Sequence, residues 1–224
     1  MNLFKALSYK EWIKTRRMLG ILCLLGLAVL AYSYIEVTHL IRIKGAVNVW
    51  YAYLYMGYQL NDSLFNFPIL AGVTTGLVQY LPEMTNKRLK LTLHLPASES
   101  SIVASMLLYG YGALGVIFVA FALLLSLTLS LIFSWDIIGL VLTQLAPALA
   151  AGLCAYGFTA WICMEPQWLQ RICNLLISAG LLSVLFLSRD FVVYHYFGLG
   201  ILLLLAGSFT FPFLSATRFK QGVL

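Results

Sequence analysis

Charge is scarce in this chain, and negative charge scarcest. Its 224 residues hold eight Asp and Glu against fourteen Lys and Arg, and the charged types together make up 10%. A water-soluble domain of this length needs roughly 25% charge to cover its surface, so a soluble enzyme or binding module is excluded. Histidine is rarer still. His39, His94 and His195 stand isolated, with no H-E-x-x-H and no His/Cys pairing from which a metal site could be built. Cys23, Cys154, Cys163 and Cys173 form no C-x-x-C pair and lie in or beside apolar runs. That predicts free, buried thiols and no disulfide framework. No G-x-x-x-x-G-K-[ST] occurs, so the chain lacks the usual phosphate loop for ATP. No G-x-S-x-G occurs, and Ser105, Ser126, Ser130, Ser178 and Ser183 are read as back-bonded to their own helices. No internal repeat and no low-complexity linker divides the chain, so residues 1–224 form one membrane domain.

Apolar residues fill the rest, at 62%. A bilayer crossing takes about 20 of them in a row, and the runs predict an all-α membrane protein of six spans at 18–36, 62–82, 102–126, 137–163, 172–188 and 197–215. The apolar run from Leu19 has no clear small-residue cleavage site, so it reads as a retained first span and not a signal peptide. Tyr and Trp gather beside the span ends, as an interfacial belt requires. Trp50, Tyr51, Tyr53, Tyr55 and Tyr58 form either an outer interfacial helix or an extension of the second span. Pro68 and Pro82 remove backbone donors within that span and predict a kink or break at each.

The cations orient the chain. With the N-terminus in the cytoplasm, eleven of the fourteen Lys and Arg fall inside and three, Arg42, Lys44 and Arg189, outside. Six spans then leave both termini cytoplasmic. The net charge of +6 follows from this placement at span ends, beside anionic headgroups, and needs no nucleic acid. Ahead of the first span, residues 1–17 read as an amphipathic interfacial helix. Leu3, Leu7, Trp12 and Ile13 share its membrane face, and Lys5, Lys10, Lys14, Arg16 and Arg17 its charged side. The competing reading is a positive flank that only fixes topology.

Few constellations carry chemistry. Gly110-Tyr-Gly112-Ala-Leu-Gly115 has the letters of a dinucleotide fingerprint but sits inside an apolar helix, where it reads as a smooth packing groove. Gly72 with Gly76, and Ala148 with Gly152, make two further small-residue faces. Asp62 either caps the second span from outside or is a pathway carboxylate. Gln79, Gln144 and Asn174 lie deeper and read as interhelical hydrogen-bonders, with a polar translocation surface as the alternative. Residues 165–171 make a short second cytoplasmic loop that Trp168 anchors at the headgroups.

The polar island at 83–101 is different. Glu83 is followed by Lys87, Arg88 and Lys90, by Leu89, Leu91, Leu93 and Leu95, and then by Pro96-Ala97-Ser98. This pattern, with the basic N-terminal helix and the six-span layout, resembles the permeases of type-2 ATP-binding-cassette transporters. Those carry an acidic residue at the end of the second span and a Leu-rich segment ending in a Leu-Pro-Val-Ser-Arg-like turn. Here Thr85, Asn86 and Lys87 stand where that family often has Gly, and Glu99 where it often has a basic residue. The resemblance implies a permease of the exporter type in the cell membrane. It has no ATPase motif of its own: a separate ATPase subunit binds ATP and Mg²⁺, and a second permease copy or paralogue and an accessory protein complete the assembly. It implies that 83–100 is the coupling helix, with Lys87, Arg88, Lys90 and Glu99 as charged contacts and Leu89, Leu91 and Leu93 as apolar ones. Glu11 and Trp12 would brace it. The competing function is a membrane-embedded enzyme or assembly factor acting on a lipid or lipid-linked substrate, which needs two or more acid–base groups in the spans.

Overall fold

A computed structural model describes residues 3–56, 60–85, 98–187 and 197–221. Regular structure among them is helical. The elements are α1 (Leu3–Lys44), α2 (Ala46–Tyr55), α3 (Asp62–Thr85), α4 (Glu99–Ser130), α5 (Trp135–Met164), α6 (Trp168–Ser183, continued by a 3-10 turn at Val184–Phe186) and α7 (Gly198–Gln221). All but α2 are long and apolar enough to cross a membrane. The chain is thus a helical multi-pass membrane protein, as its composition predicts.

The largest departure is α1. No separate helix precedes the first span: Leu3–Lys44 is one uninterrupted helix of 42 residues. No proline falls in it, and its two glycines, Gly20 and Gly26, each cost a helix interior only about 1 kcal/mol. Its packing face also differs from the expected one. Leu7, Glu11 and Thr15, spaced i, i+4, i+8, are buried, whereas Trp12 and Ile13 are exposed. At 3.6 residues per turn, Leu7 and Trp12 point some 140° apart, so they cannot share a face.

Gly45, with φ +80°, separates α1 from α2. That left-handed conformation is open to glycine at little cost. Trp50, Tyr51, Tyr53 and Tyr55 of the aromatic stretch accordingly belong to a short helix of their own, and Tyr58 lies outside the described residues. Val49 and Tyr53 are the buried positions of α2, and Tyr53 meets Phe133 edge-on at 5.3 Å.

α3 runs through Pro68 and Pro82 without the expected break. Each removes a single backbone donor, leaving the carbonyls of Leu64 and Val78 without their i+4 partner, and the helix continues past both. Its two-glycine face packs on α5. A Cβ at Gly72 would fall on the Gly152 carbonyl oxygen, and one at Gly152 would lie 2.5 Å from that of Pro68. The two small-residue faces are therefore partners, and they let the backbones of α3 and α5 touch. Of the three glycines in α4, only Gly110 is covered, by the Tyr156 hydroxyl; Gly112 and Gly115 face open space.

Ser105, Ser126, Ser130, Ser178 and Ser183 bond back to their own helices, as expected. All four cysteines are free, but Cys23 and Cys173 are exposed on outward helix faces and only Cys154 is fully buried. Side-chain pairs between Lys14 and Glu83, Tyr80 and Tyr156, and Ser215 and Glu165 bring the start of α1, the end of α3, the end of α5 and the end of α7 to one end of the bundle. Residues 3 and 221 therefore lie on the same side.

Candidate functional site at the basic end of the bundle

Glu83, in the last turn of α3, is almost fully buried and does not stand alone. Lys14 Nζ lies 2.8 Å and Lys10 Nζ 3.0 Å from its Oε1. Lys14 Nζ also reaches Glu11 Oε2 at 2.8 Å, and Lys10 Nζ lies 3.9 Å from Glu11 Oε1. The four charges sum to zero. The cluster arises because Lys10, Glu11 and Lys14 fall at i, i+1 and i+4, so both ammonium groups flank the one buried carboxylate on α1 and reach across to α3. The lysines are 38% and 18% exposed, and the carboxylates at most 2%. Glu83 Oε2 and both Glu11 oxygens are buried without a hydrogen-bond partner. The carboxylates are therefore held by the ammonium charges, and their burial is tolerable only while those charges stay.

One turn before Glu83, a neutral network begins. Lys14 Nζ donates to the Gln79 carbonyl at 3.1 Å. The Gln79 amide donates to the Met106 carbonyl at 3.0 Å and accepts from the Tyr156 hydroxyl at 2.9 Å. Tyr156 also meets the Tyr80 hydroxyl at 2.9 Å, and its ring stands edge-on to Tyr111, 5.0 Å away. Tyr111 in turn shares a hydrogen bond with Ser208 on α7, at 2.9 Å. Thr15 meets the Tyr109 hydroxyl at 2.7 Å. Five helices are tied together within about two turns of Glu83. Gln79 thus makes the interhelical hydrogen bonds expected of it. Asn174, by contrast, bonds within its own helix, to Gln170 and Ser178.

A third buried carboxylate lies at the same end of the bundle, against α7. Glu165 accepts from Ser215 Oγ at 2.5 Å, lies 3.7 Å from an Arg218 guanidinium nitrogen, and offers its backbone carbonyl to Arg171 Nε at 2.5 Å. The loop read as 165–171 is only Glu165–Gln167, and Trp168 is the exposed first residue of α6.

Other sequence-selected residues fall apart from this site. Asp62 is exposed in the first turn of α3, and Asn61 does the capping, accepting from the Ser63 N–H at 2.9 Å. Seventeen residues of helix, about 25 Å, separate Asp62 from Gln79. Glu99 opens α4, behind Ser98 at the N-cap position. Lys5, Arg16 and Arg17 are exposed along α1. Lys87, Arg88, Leu89, Lys90, Leu91, Leu93 and Pro96 lie outside the described residues.

Lys14 as the central cation, Glu165, and the pair Tyr80–Tyr156 are site residues that the sequence alone does not single out. One signal was present: an acid directly after Pro82, closing an apolar run, demands a cation from another helix. Tyr156→Phe is expected to lower stability by about 1–3 kcal/mol, because it leaves the Gln79 side-chain oxygen Oε1 buried and unpaired. Equilibrium unfolding in mixed micelles reads this, and Tyr80→Phe, which removes a single bond, should cost less.

Compared with protein-family models, with curated proteins and with solved structures, the chain matches none.

Proposed function

We propose that this chain is the membrane-spanning permease subunit of an ATP-driven transporter of the type-2 ATP-binding-cassette kind. It is an exporter in the cell membrane with both termini in the cytoplasm. The chain has no chemistry of its own: ATP and Mg²⁺ are held by a separate ATPase subunit, and a second permease copy or a paralogue completes the pathway.

The observation that carries this reading is the binding of Glu83 to α1. Residues 86–97 join the end of α3, just after Glu83, to the start of α4 at Glu99. A force applied to that segment acts on α3 and α4 directly. Through Lys10 and Lys14 it also acts on α1, and through Gln79 and Tyr156 on α5. A permease needs this property: one cytoplasmic handle whose displacement biases several spans between two arrangements.

Purification from the native membrane should bring down an ATPase subunit. Reversing the handle's charge with Lys87→Glu and Arg88→Glu should lower its recovery about tenfold, equivalent to about 1.4 kcal/mol of contact. Undiminished recovery with full coupled ATP hydrolysis would remove residues 86–97 from their assigned role. A purified chain that transforms a lipid unaided would replace the transport reading altogether.

A further inference from the structure

Beside the ion cluster, α1 and α4 leave between them a groove of about 660 Å³ on the outside of the bundle. Its floor is bare, because Gly20 and Gly112 have nothing within 4 Å of where a side chain would start. Ala113 and Val116 continue the apolar surface toward the middle of the span. Two polar groups stand at its other end. Arg16 is exposed, and no described carboxylate pairs with it. Ser8 Oγ is buried and has no hydrogen-bond partner.

We propose that this groove is a specific site for one anionic phospholipid with a hydroxylated headgroup. The phosphate pairs with Arg16, the headgroup hydroxyls extend toward Ser8, and an acyl chain lies along Gly20, Gly112 and Val116. Charge decides against a second copy of this chain as the occupant. At this end of the bundle Glu11, Glu83 and Glu165 are buried, while Lys5, Arg16 and Arg17 are exposed. Two copies meeting here would bring mostly cations together. A lipid such as phosphatidylglycerol supplies the missing negative charge and a flexible chain that fits a shallow apolar trough. Helical side chains lean toward the N-terminus. The Arg16 guanidinium therefore leans toward Trp12, and a glycerol group can bridge from there to Ser8. The inference needs only that the chain spans a bilayer, so it survives failure of the transport reading.

Trp12 lines the groove and serves as the reporter. The full chain is placed in phosphatidylcholine nanodiscs containing brominated-chain phosphatidylglycerol or brominated-chain phosphatidylcholine. Trp12 quenching is taken as the difference from Trp12→Phe. The association constant for phosphatidylglycerol should exceed that for phosphatidylcholine about fivefold, the contribution of one interfacial cation. Arg16→Gln should bring the ratio to about one, and Ala113→Leu, which fills the trough, should reduce quenching by both lipids. Equal quenching by the two lipids in the unmodified chain overturns the site, as does a preference that persists in Arg16→Gln. Oxidative Cys23–Cys23 cross-linking in membranes, on a Cys173→Ala background, also overturns it, because a second copy would then occupy the groove.

Discussion

Lys14→Met is expected to lower the free energy of unfolding by about 3–5 kcal/mol, the cost of stranding buried charge. The side chain sits 2.8 Å from Glu11 and 2.8 Å from Glu83. Without it the two buried carboxylates share Lys10 alone, which is more exposed and whose attraction solvent screens. Lys10→Met should therefore cost less. Adding Glu83→Gln to Lys14→Met restores the charge balance with Lys10 and Glu11, and most of the lost stability should return. The cycle of single and double variants isolates the coupling between α1 and α3. Equilibrium unfolding in mixed micelles measures it. If Lys14→Met unfolds within about 0.5 kcal/mol of the parent, a typical surface-substitution effect, the cluster does not hold these helices together.

Gly152→Leu should be far worse tolerated than a replacement at Gly139 in the same helix. A Cβ alone would lie 2.5 Å from the Pro68 carbonyl oxygen and 2.8 Å from the Phe118 ring, and neither backbone can retreat without parting α3 from α5. The expected cost exceeds the roughly 1–3 kcal/mol of ordinary overpacking, and the yield of monodisperse protein should collapse. Gly139 provides the contrast on the same helix: nothing lies near its missing side chain. Gly139→Ala should raise stability by up to about 1 kcal/mol through helix propensity. If the two variants unfold alike, the close backbone contact at Gly72 and Gly152 is not what joins these helices.

Hydropathy carries the spans because the bilayer demands them, and all six fall where apolar runs do. It does not carry helix ends. The run beginning near Met18 marks where α1 becomes greasy, while the helix itself starts at Leu3, since Lys, Arg and Leu form helix well on either side of that boundary. The N-terminal cations look, residue by residue, like a topology signal. Only the register of Leu7, Glu11 and Thr15 turns two lysines inward, and only folding brings Glu83, sixty-nine positions after Lys14, within reach. Glu83 was legible as an acid in an unusual place, and its partners were not. Tyr156 was less legible still, because one tyrosine among thirteen gives no sign that Gly110 leaves room for its hydroxyl.

At about 1.5 Å per residue, the 42 residues of α1 make a rigid lever some 63 Å long, twice the roughly 30 Å of hydrocarbon it must cross. Rocking it by about 5° around its midpoint would swing each tip by nearly 3 Å in opposite directions. Whatever pulls on Lys14, about 14 Å to one side of that midpoint, is felt at Lys44 at the other end, and at the aromatic paddle hung from Gly45, without any span having to bend.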